Sequence, residues 1–255
     1  MTNAIKRKMT FRPIWLAMAV TFLATGAAAV EADGKWHHEF TEDGVAVSMM
    51  TEEGRSLPAF RGVAVVDGGM FEVLGMLDDA KKATDWMANC MENKVLKQVN
   101  EFDRIIYNRT DAPWPVSDRD VVIFVGVTAD LDKREVNIKF SQITNAGPGP
   151  IDGVVRMPRL KGFYKLQYVD EKHTRVTYQI DADSGGSVPD WLIARATRAL
   201  PVQTLNGMRK QLKKTLGNYD DFVKRYDPTR GGKIPEQFAK GATAAPGIAP
   251  AQAQP

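Results

Sequence analysis

The fold is decided by residues 188–216, which read VPDWLIARATRALPVQTLNGMRKQLKKTL and predict one long helix near the C-terminus. Pro189 suits the first helical position, and Ser187, just before it, suits the N-cap. Residues that favour helices, namely Ala, Leu, Arg, Gln and Lys, dominate the stretch. At about 1.5 Å per residue the helix would run roughly 40 Å, the width of a whole domain. The rest of the fold is therefore expected to be arranged against it.

The apolar residues of this helix form two sets on either side of Pro201, offset by about 150° at about 100° per residue. The sets are Leu192, Ile193, Ala196, Ala199 and Leu200, followed by Val202, Leu205, Met208, Leu212 and Leu216. Either the helix bends at Pro201, where a backbone donor is missing, or it is apolar over a wide arc. Both suit a helix laid across a concave apolar surface, and an ordinary core helix kinked by its proline also fits.

The first 32 residues have the features of a secretory signal peptide. Four basic residues precede an apolar run at 14–24, and small residues then lead to Ala-Ala-Ala at 27–29 and Val-Glu-Ala at 30–32. An uncleaved membrane anchor is the alternative, although the run is short for a span. We expect cleavage after Ala29 or Ala32 and a periplasmic or secreted mature protein.

Cleavage changes the charge of the chain. Residues 1–32 hold four of the 34 Lys+Arg and one of the 31 Asp+Glu, so the mature chain carries 30 of each. A nucleic-acid-binding surface therefore loses its main support. The single cysteine, Cys90, excludes an internal disulfide, so an exported chain of this kind depends on packing alone.

The remaining pattern predicts an α+β fold. Strand segments alternate with turn signals, a short helical pattern covers 70–78 and a possible continuation covers 83–87, and the long helix follows the last strand. Because the strands run together and the helices are segregated, a curved antiparallel sheet with the last helix across its open face is expected. The predicted strands are 45–50, 60–66, 94–99, 104–108, 121–128, 135–144, 154–157, 162–169 and 175–180.

The composition shifts to Gly, Pro, Ala and Gln after about Tyr226. Such a segment cannot bury enough apolar surface to fold. The domain prediction is therefore a signal peptide at 1–32, a folded domain at 33–226 and a disordered tail at 227–255.

Catalytic motifs are missing from the sequence. The three histidines, His37, His38 and His173, have no zinc-site spacing, and neither a nucleophile elbow, a P-loop nor a dinucleotide fingerprint occurs. Loop aspartates such as Asp118 and Asp120 usually cap turns. We therefore expect no catalytic residue, metal or cofactor.

Two strings are more specific than any of these patterns: APWPVSDRD at 112–120 and VRMPRLKGFY at 155–164. With YQID at 178–181, GGSVPDW at 185–191 and ALP at 199–201, they closely resemble the START (steroidogenic-acute-regulatory-related lipid transfer) domain, and more narrowly its bacterial, signal-bearing branch. The resemblance runs from about Trp36 to Leu216.

The resemblance implies a helix-grip fold, in which a curved antiparallel sheet is closed by the C-terminal helix around a hydrophobic tunnel for one lipid. It implies non-catalytic binding and transfer, or sensing, of a lipid or other apolar molecule by a monomer that contacts a membrane transiently. Two alternatives stay open: a polyketide cyclase or aromatase using the same tunnel, and a protein-interaction module with a vestigial cavity.

Ten residues are candidates for the site. The predicted ligand contacts are Trp114, Arg119, Arg156, Tyr178, Leu192, Ala196, Leu200, Thr204 and Met208, and Pro201 is the predicted gate together with loops 110–115 and 145–152. Trp114 is either a plug in the core or a lipid-facing aromatic, and Arg119 either ties a turn to the sheet or contacts a headgroup. Arg156 on an inward strand position would need a buried partner, which makes it the first candidate for a headgroup.

One departure from the family pattern concerns sterols. Sterol-carrying members often set an acidic side chain against an Arg a few residues after the Arg-Asp that Arg119-Asp120 resembles. Here the strand continues as VVIFV at 121–125, without charge. The ligand is therefore equally open to a phospholipid, a fatty acid or another apolar molecule.

Overall fold

Ten strands form one sheet in the computed structural model, which describes residues 36–51 and 58–239. The strands are β1 (His37–Glu42), β2 (Val45–Met50), β3 (Ala59–Asp67), β4 (Cys90–Gln98), β5 (Arg104–Thr110), β6 (Asp118–Asp130), β7 (Glu135–Gln142), β8 (Val154–Arg156), β9 (Arg159–Asp170) and β10 (His173–Asp183). The helices are α1 (Met70–Asp78), α2 (Asp190–Lys214), α3 (Asp220–Tyr226) and α4 (Glu236–Ala239), with 3₁₀ helices at Ala80–Asp85 and Pro228–Arg230. The predicted signal peptide at 1–32 lies outside the described residues.

The sheet has the order β1-β2-β3-β10-β9-β7-β6-β5-β4, and all neighbours on this path are antiparallel. The sheet is not closed into a barrel, because β1 and β4 remain its edges. The α+β prediction is thus confirmed, with one correction. The segment at 154–157 does not extend the antiparallel run; β8 pairs in parallel with the start of β6, off the main path. Three residues are too few for an alternation of apolar and polar side chains to indicate how this strand pairs.

Strand β6 is buried on both faces, as its apolar run at 121–127 requires, and β5 is buried on both faces over its first four residues. On one face of β6, Val121, Ile123 and Val125 point toward an internal cavity. On the other face, Val122 and Phe124 form a small second core, against which Ala146 and Ile151 of the 143–153 loop pack.

The loop at 145–152 was predicted to be part of a gate, and this assignment is wrong. A Cβ atom added to Gly147 would stand 2.6 Å from Cγ2 of Val122, so the loop lies on the outer face of the sheet. The cavity is on the opposite face, because side chains alternate along β6.

Helix α1 is confirmed, with Phe71 and Leu74 buried at helical spacing. The expected continuation at 83–87 is instead the end of a separate 3₁₀ helix, which stops at Asp85 before Trp86. Together with α2, these elements cover the same face of the sheet that carries the cavity.

Helix α2 begins at Asp190, with Pro189 rather than Ser187 at the N-cap, and it continues through Pro201 to Lys214. Val202, Leu205, Met208 and Leu212 are buried in the main core. Gly62 of β3 allows close packing here, since a Cβ on it would stand 3.0 Å from Cβ of Pro201. In the described part of the chain, none of the helices has the length and apolarity that crossing a bilayer requires.

The folded domain extends beyond Tyr226, which corrects the predicted start of the tail. Residues 228–230 form a 3₁₀ turn, and Phe238 of α4 is 1% exposed. Its ring stacks on Phe102 at a centroid distance of 4.4 Å. One aromatic side chain thus anchors a segment whose average composition suggested disorder, and residues 240–255 lie outside the described residues.

Candidate ligand cavity

An internal cavity of about 330 Å³ lies between the sheet and the first half of α2. Side chains from β3 and β10, on one side of the sheet order, and from β5 and β6, on the other, line the same space. The sheet must therefore curve around it. Most lining side chains are apolar, and the volume falls at the lower end of the range of about 300–1,000 Å³ typical of small-molecule sites.

The face of α2 that borders the cavity was predicted from the sequence. Leu192, Ala196, Leu200 and Thr204 all lie in the wall, together with Ile193. Met208 does not: it is fully buried in the solid core beyond the cavity. The two apolar sets thus have different surroundings. The first set borders the void, except for Ala199, and the second packs in the core, except for Leu216, which is 78% exposed beyond the end of α2.

Pro201 is not in the cavity wall. It is buried where α2 packs against β3, next to Gly62. This position agrees with the alternative in which the proline only lets the helix follow the sheet. It does not support the predicted gate at Pro201.

Gly207 of α2 lies against the end of the 3₁₀ segment at Ala80–Asp85. A Cβ atom on Gly207 would stand 2.0 Å from the carbonyl oxygen of Trp86. The small residue therefore allows this backbone to approach α2, and Trp86 itself lines the cavity.

Residues 111–116 border what we name the loop end of the cavity. The lining here includes Asp111 and Pro113, whose side chains are exposed, so the cavity reaches the surface at this end. Val188, just before α2, also lines the cavity.

Arg119, at the start of β6, is 7% exposed and forms part of the cavity wall. Its Nη1 donates to the carbonyl oxygen of Ser117, and its Nη2 donates to that of Gly185 at 3.3 Å. The guanidinium therefore ties two loops to the sheet, as one of the two readings predicted. Burial lowers the pKa of this group.

Arg156 is not free to bind a headgroup inside the cavity, and it is absent from the wall. Its Nε donates to Oδ1 of Asp120 at 2.6 Å, and its Nη2 donates to Oδ2 at 3.1 Å. Nη2 also donates to the carbonyl oxygen of Pro148, on the outer loop. The buried partner that the sequence required is thus Asp120, which faces the outside of the sheet with Val122 and Phe124.

An ion pair between a buried arginine and a partly exposed aspartate lies in the cavity wall, where no charge was expected. Arg104 of β5 contacts Asp78, at the end of α1, through both the carboxylate and the carbonyl oxygen, the latter at 2.7 Å from Nη1. Arg104 is directly opposite Val125 in the β5–β6 register. The charge absent from residues 121–125 is therefore supplied by the neighbouring strand, so the uncharged sequence of β6 does not exclude a sterol.

The middle of the wall is aromatic. The rings of Tyr164 and Tyr178 stack at a centroid distance of 4.6 Å, and their hydroxyl groups are hydrogen-bonded. Burial raises the pKa of both tyrosines. The ring of Trp86 meets Tyr164 edge to face, and its Nε1 is buried without an acceptor among the described residues. Tyr178 thus lies in the cavity wall, as predicted.

Trp114 and Trp191 are both on the surface. Trp114 is 90% exposed between Pro113 and Pro115, so neither a core plug nor a contact inside the cavity describes it. Trp191 is 56% exposed in the first turn of α2. Their neighbours Pro113 and Leu192 line the cavity, which places both indoles at its loop end.

The wall residues that the sequence analysis did not identify include Asp78, Arg104 and Trp86. The sequence could have indicated Arg104, because Arg104, Ile106 and Asn108 alternate along a predicted strand and so share one face of it. Asp78 and Trp86 follow a short helical pattern and reach the wall only through tertiary packing. No local pattern marks them.

Among the described residues, no group of three or more His, Cys, Asp or Glu side chains is placed to hold a metal ion. Asp118 and Asp120 are engaged by arginines. Burial raises the pKa of the Cys90 thiol, which disfavours the reactive thiolate.

An open antiparallel sheet, an internal and mostly apolar cavity and a closing C-terminal helix define a ligand-binding α+β protein of the helix-grip class. The chain belongs to the START domain family, whose family model matches residues 27–216. An uncharacterized protein of Pseudomonas aeruginosa is 34% identical over 202 residues, covering 78% of this chain and 95% of that protein.

Two solved structures extend the comparison. A STAR-related lipid transfer protein fragment from Xanthomonas axonopodis shares 29% identity with a TM-score of 0.64, covering 70% of this chain and 99% of that fragment. Human STARD10 shares 20% identity with a TM-score of 0.65, covering 78% of this chain and 80% of that one, and shows the same fold.

Proposed function

We propose that this protein binds one lipid or other apolar molecule in its cavity and carries or senses it without catalysing a reaction. The observation that carries the proposal is the apolar cavity of about 330 Å³ bordered by one face of α2. A module with a vestigial cavity would be expected to fill this space with side chains, because protein interiors are close-packed.

The free energy of the empty cavity supports an occupant. At about 24 cal/mol per Å³, a dry void of about 330 Å³ costs up to about 8 kcal/mol. The net stability of a domain is only about 5–15 kcal/mol. The space is therefore expected to hold a ligand or water rather than to stay dry.

The same energetics favour a carrier. An alkyl chain that leaves water gains about 0.8 kcal/mol per methylene group, but a chain in a bilayer is already out of water. Exchange between a bilayer and the cavity is therefore nearly balanced. The Xanthomonas axonopodis relative is described as a lipid transfer protein, which supports the same class of function for this chain.

We further propose that the protein is exported and acts in the periplasm or outside the cell as a member of the signal-bearing bacterial branch. The support is the sequence of residues 1–32, in which a basic segment precedes an apolar run and small residues. The protein would act as a monomer that contacts a membrane transiently. Tryptophan favours the membrane–water interface, and two exposed tryptophans border the loop end of the cavity.

Lipid transfer between donor and acceptor vesicles tests the proposal. Leu200→Arg places a charge in the cavity wall, and Gln203→Arg places the same charge on the exposed side of the same helix. We expect Leu200→Arg to abolish transfer and Gln203→Arg to retain it. Unimpaired transfer by folded Leu200→Arg protein would contradict the proposal. Met208→Arg is unsuitable, because Met208 is fully buried in the core.

A further inference from the structure

We propose that the loop end of the cavity binds an anionic group of an amphipathic ligand, a carboxylate or a phosphate, through Arg119. This inference rests on the proposed function, because it names the chemical class of the ligand. It begins with the two carboxylates that flank Arg119 in the chain, Asp118 and Asp120, and with the arginines that they contact.

Both of these carboxylates are occupied by other arginines. Arg109 donates from Nε to Oδ2 of Asp118 at 3.0 Å and from Nη2 to the same oxygen at 2.5 Å. Arg156 forms a two-point contact with Asp120, which also accepts a hydrogen bond from the Tyr107 hydroxyl at 3.1 Å. Strand alternation directs Asp120 to the outer face. Arg119 is therefore left without a hydrogen-bonded carboxylate among the described residues.

The carboxylate of Asp118 attracts the Arg119 guanidinium without a hydrogen bond between them, because its hydrogen-bonding arginine is Arg109. The acceptors of Arg119 are two neutral carbonyl oxygens, those of Ser117 and Gly185, and its Nε is buried with no acceptor in the described chain. A buried guanidinium is costly unless an anion is close. Asp111, on the adjoining loop, is exposed, so water screens its charge.

The position of Arg119 fits an amphipathic guest. Arg119, Val121, Ile123 and Val125 follow one another along the inward face of β6, so an apolar wall begins directly beside the guanidinium. A ligand whose chain lies along this wall places its polar end at the loop end, where the cavity reaches the surface. Its anionic group would accept charge-assisted hydrogen bonds, which are stronger than neutral ones.

The other charged site in the wall does not offer the same chemistry. Arg104 contacts Asp78 directly, so that pair is neutral as a unit. It also lies opposite Val125, six residues along β6 from Arg119, a separation of about 20 Å. A ligand anion is therefore directed to Arg119 rather than to Arg104.

Binding of two matched probe pairs to the purified full chain at pH 8, measured by native mass spectrometry, tests the proposal. Oleate is compared with methyl oleate, and dioleoyl phosphatidate with dioleoylglycerol. We expect the anionic member of at least one pair to bind about tenfold more tightly, a difference of about 1.4 kcal/mol. A preference in the oleate pair assigns a carboxylate, and a preference in the phosphatidate pair assigns a phosphate.

Substitution of Arg119 identifies the group responsible. Arg119→Gln should reduce the anion preference about tenfold while leaving binding of the neutral probes within about threefold, and Arg119→Lys should restore part of the preference. Equal binding of anionic and neutral probes by the unsubstituted protein, or an equal loss of both in Arg119→Gln, overturns the proposal. Even if Arg119→Gln fails to fold, the binding of anionic and neutral probes by the unsubstituted protein tests whether an anion is preferred. Failure to bind any of the four probes contradicts the proposed function itself.

Discussion

The carbonyl oxygen of Trp86 rests against the backbone of Gly207, so that a Cβ atom on this glycine would stand 2.0 Å from it. The contact joins the end of the 3₁₀ segment to the C-terminal half of α2, and Trp86 also lines the cavity. Gly207 lies inside a 25-residue helix, where replacing glycine by alanine ordinarily stabilises by about 1 kcal/mol. Here the steric effect should reverse that sign.

We therefore expect Gly207→Ala to destabilise the protein by about 2 kcal/mol or more, measured by urea unfolding. Gly149→Ala is the control, because nothing lies within 4 Å of a Cβ atom at that position. It should change the free energy of unfolding by no more than about 0.5 kcal/mol. An unchanged or increased stability of Gly207→Ala would show that the two backbones are not in contact.

Removal of the Tyr107 hydroxyl should have a pH-dependent cost. Burial, together with the Asp120 carboxylate, raises the pKa of Tyr107 to about 12, whereas an unfolded tyrosine ionises near 10. Because the folded pKa is the higher one, the stabilising contribution is complete below about pH 10 and is lost as the pH rises toward 12.

Tyr107→Phe should accordingly be less stable than the unsubstituted protein by about 1–2 kcal/mol at pH 9, where the hydrogen bond to Asp120 is lost. Between pH 9 and pH 11 this deficit should narrow by about 1 kcal/mol, because phenylalanine has no proton to release on unfolding. Urea unfolding at the two pH values measures the change. A deficit that stays constant would mean that Tyr107 ionises equally in both states.

The stability of the protein should depend strongly on Asp78, the acidic partner of the ion pair in the cavity wall. Asp78→Ala leaves the Arg104 guanidinium buried without its carboxylate, and we expect a loss of about 3 kcal/mol. The double variant Asp78→Ala/Arg104→Met removes the uncompensated charge and should recover most of that loss. A double-mutant cycle measured by urea unfolding checks this, and strictly additive effects would argue against a direct pair.

The exposed tryptophans at the loop end predict where a membrane is contacted. Trp114→Ala and Trp191→Ala should each weaken binding to lipid vesicles about tenfold, or about 1.4 kcal/mol, with stability changed by no more than about 0.5 kcal/mol. The control is Leu131→Ala, an exposed apolar residue in the turn that follows the far end of β6. Vesicle co-sedimentation gives the measurement; equal effects at all three positions would indicate nonspecific adsorption.

Local patterns in the sequence predicted the α+β class, most strands and the wall-forming face of α2. These features follow from side-chain periodicity, because apolar residues recur at a regular spacing along the buried face of a strand or helix. The errors concern partners that only the fold brings together. Arg156 was assigned to a ligand because the sequence cannot show that Asp120, 36 residues earlier, faces it.

The same reason explains the other differences. Met208 continues the apolar pattern of α2, and only the position of the core shows that the cavity ends before it. Phe238 is one buried ring in a segment with the composition of a tail.

Native mass spectrometry of the full chain, after incubation with vesicles of mixed lipid composition, tests most directly whether the cavity holds a single apolar guest. We expect one bound lipid per protein molecule, and we expect the adduct to vanish in Ala196→Phe, which fills the wall of the cavity, but to persist in Ala199→Phe, whose position lies outside that wall. No adduct on the unsubstituted protein, or an adduct that folded Ala196→Phe retains undiminished, would contradict the account.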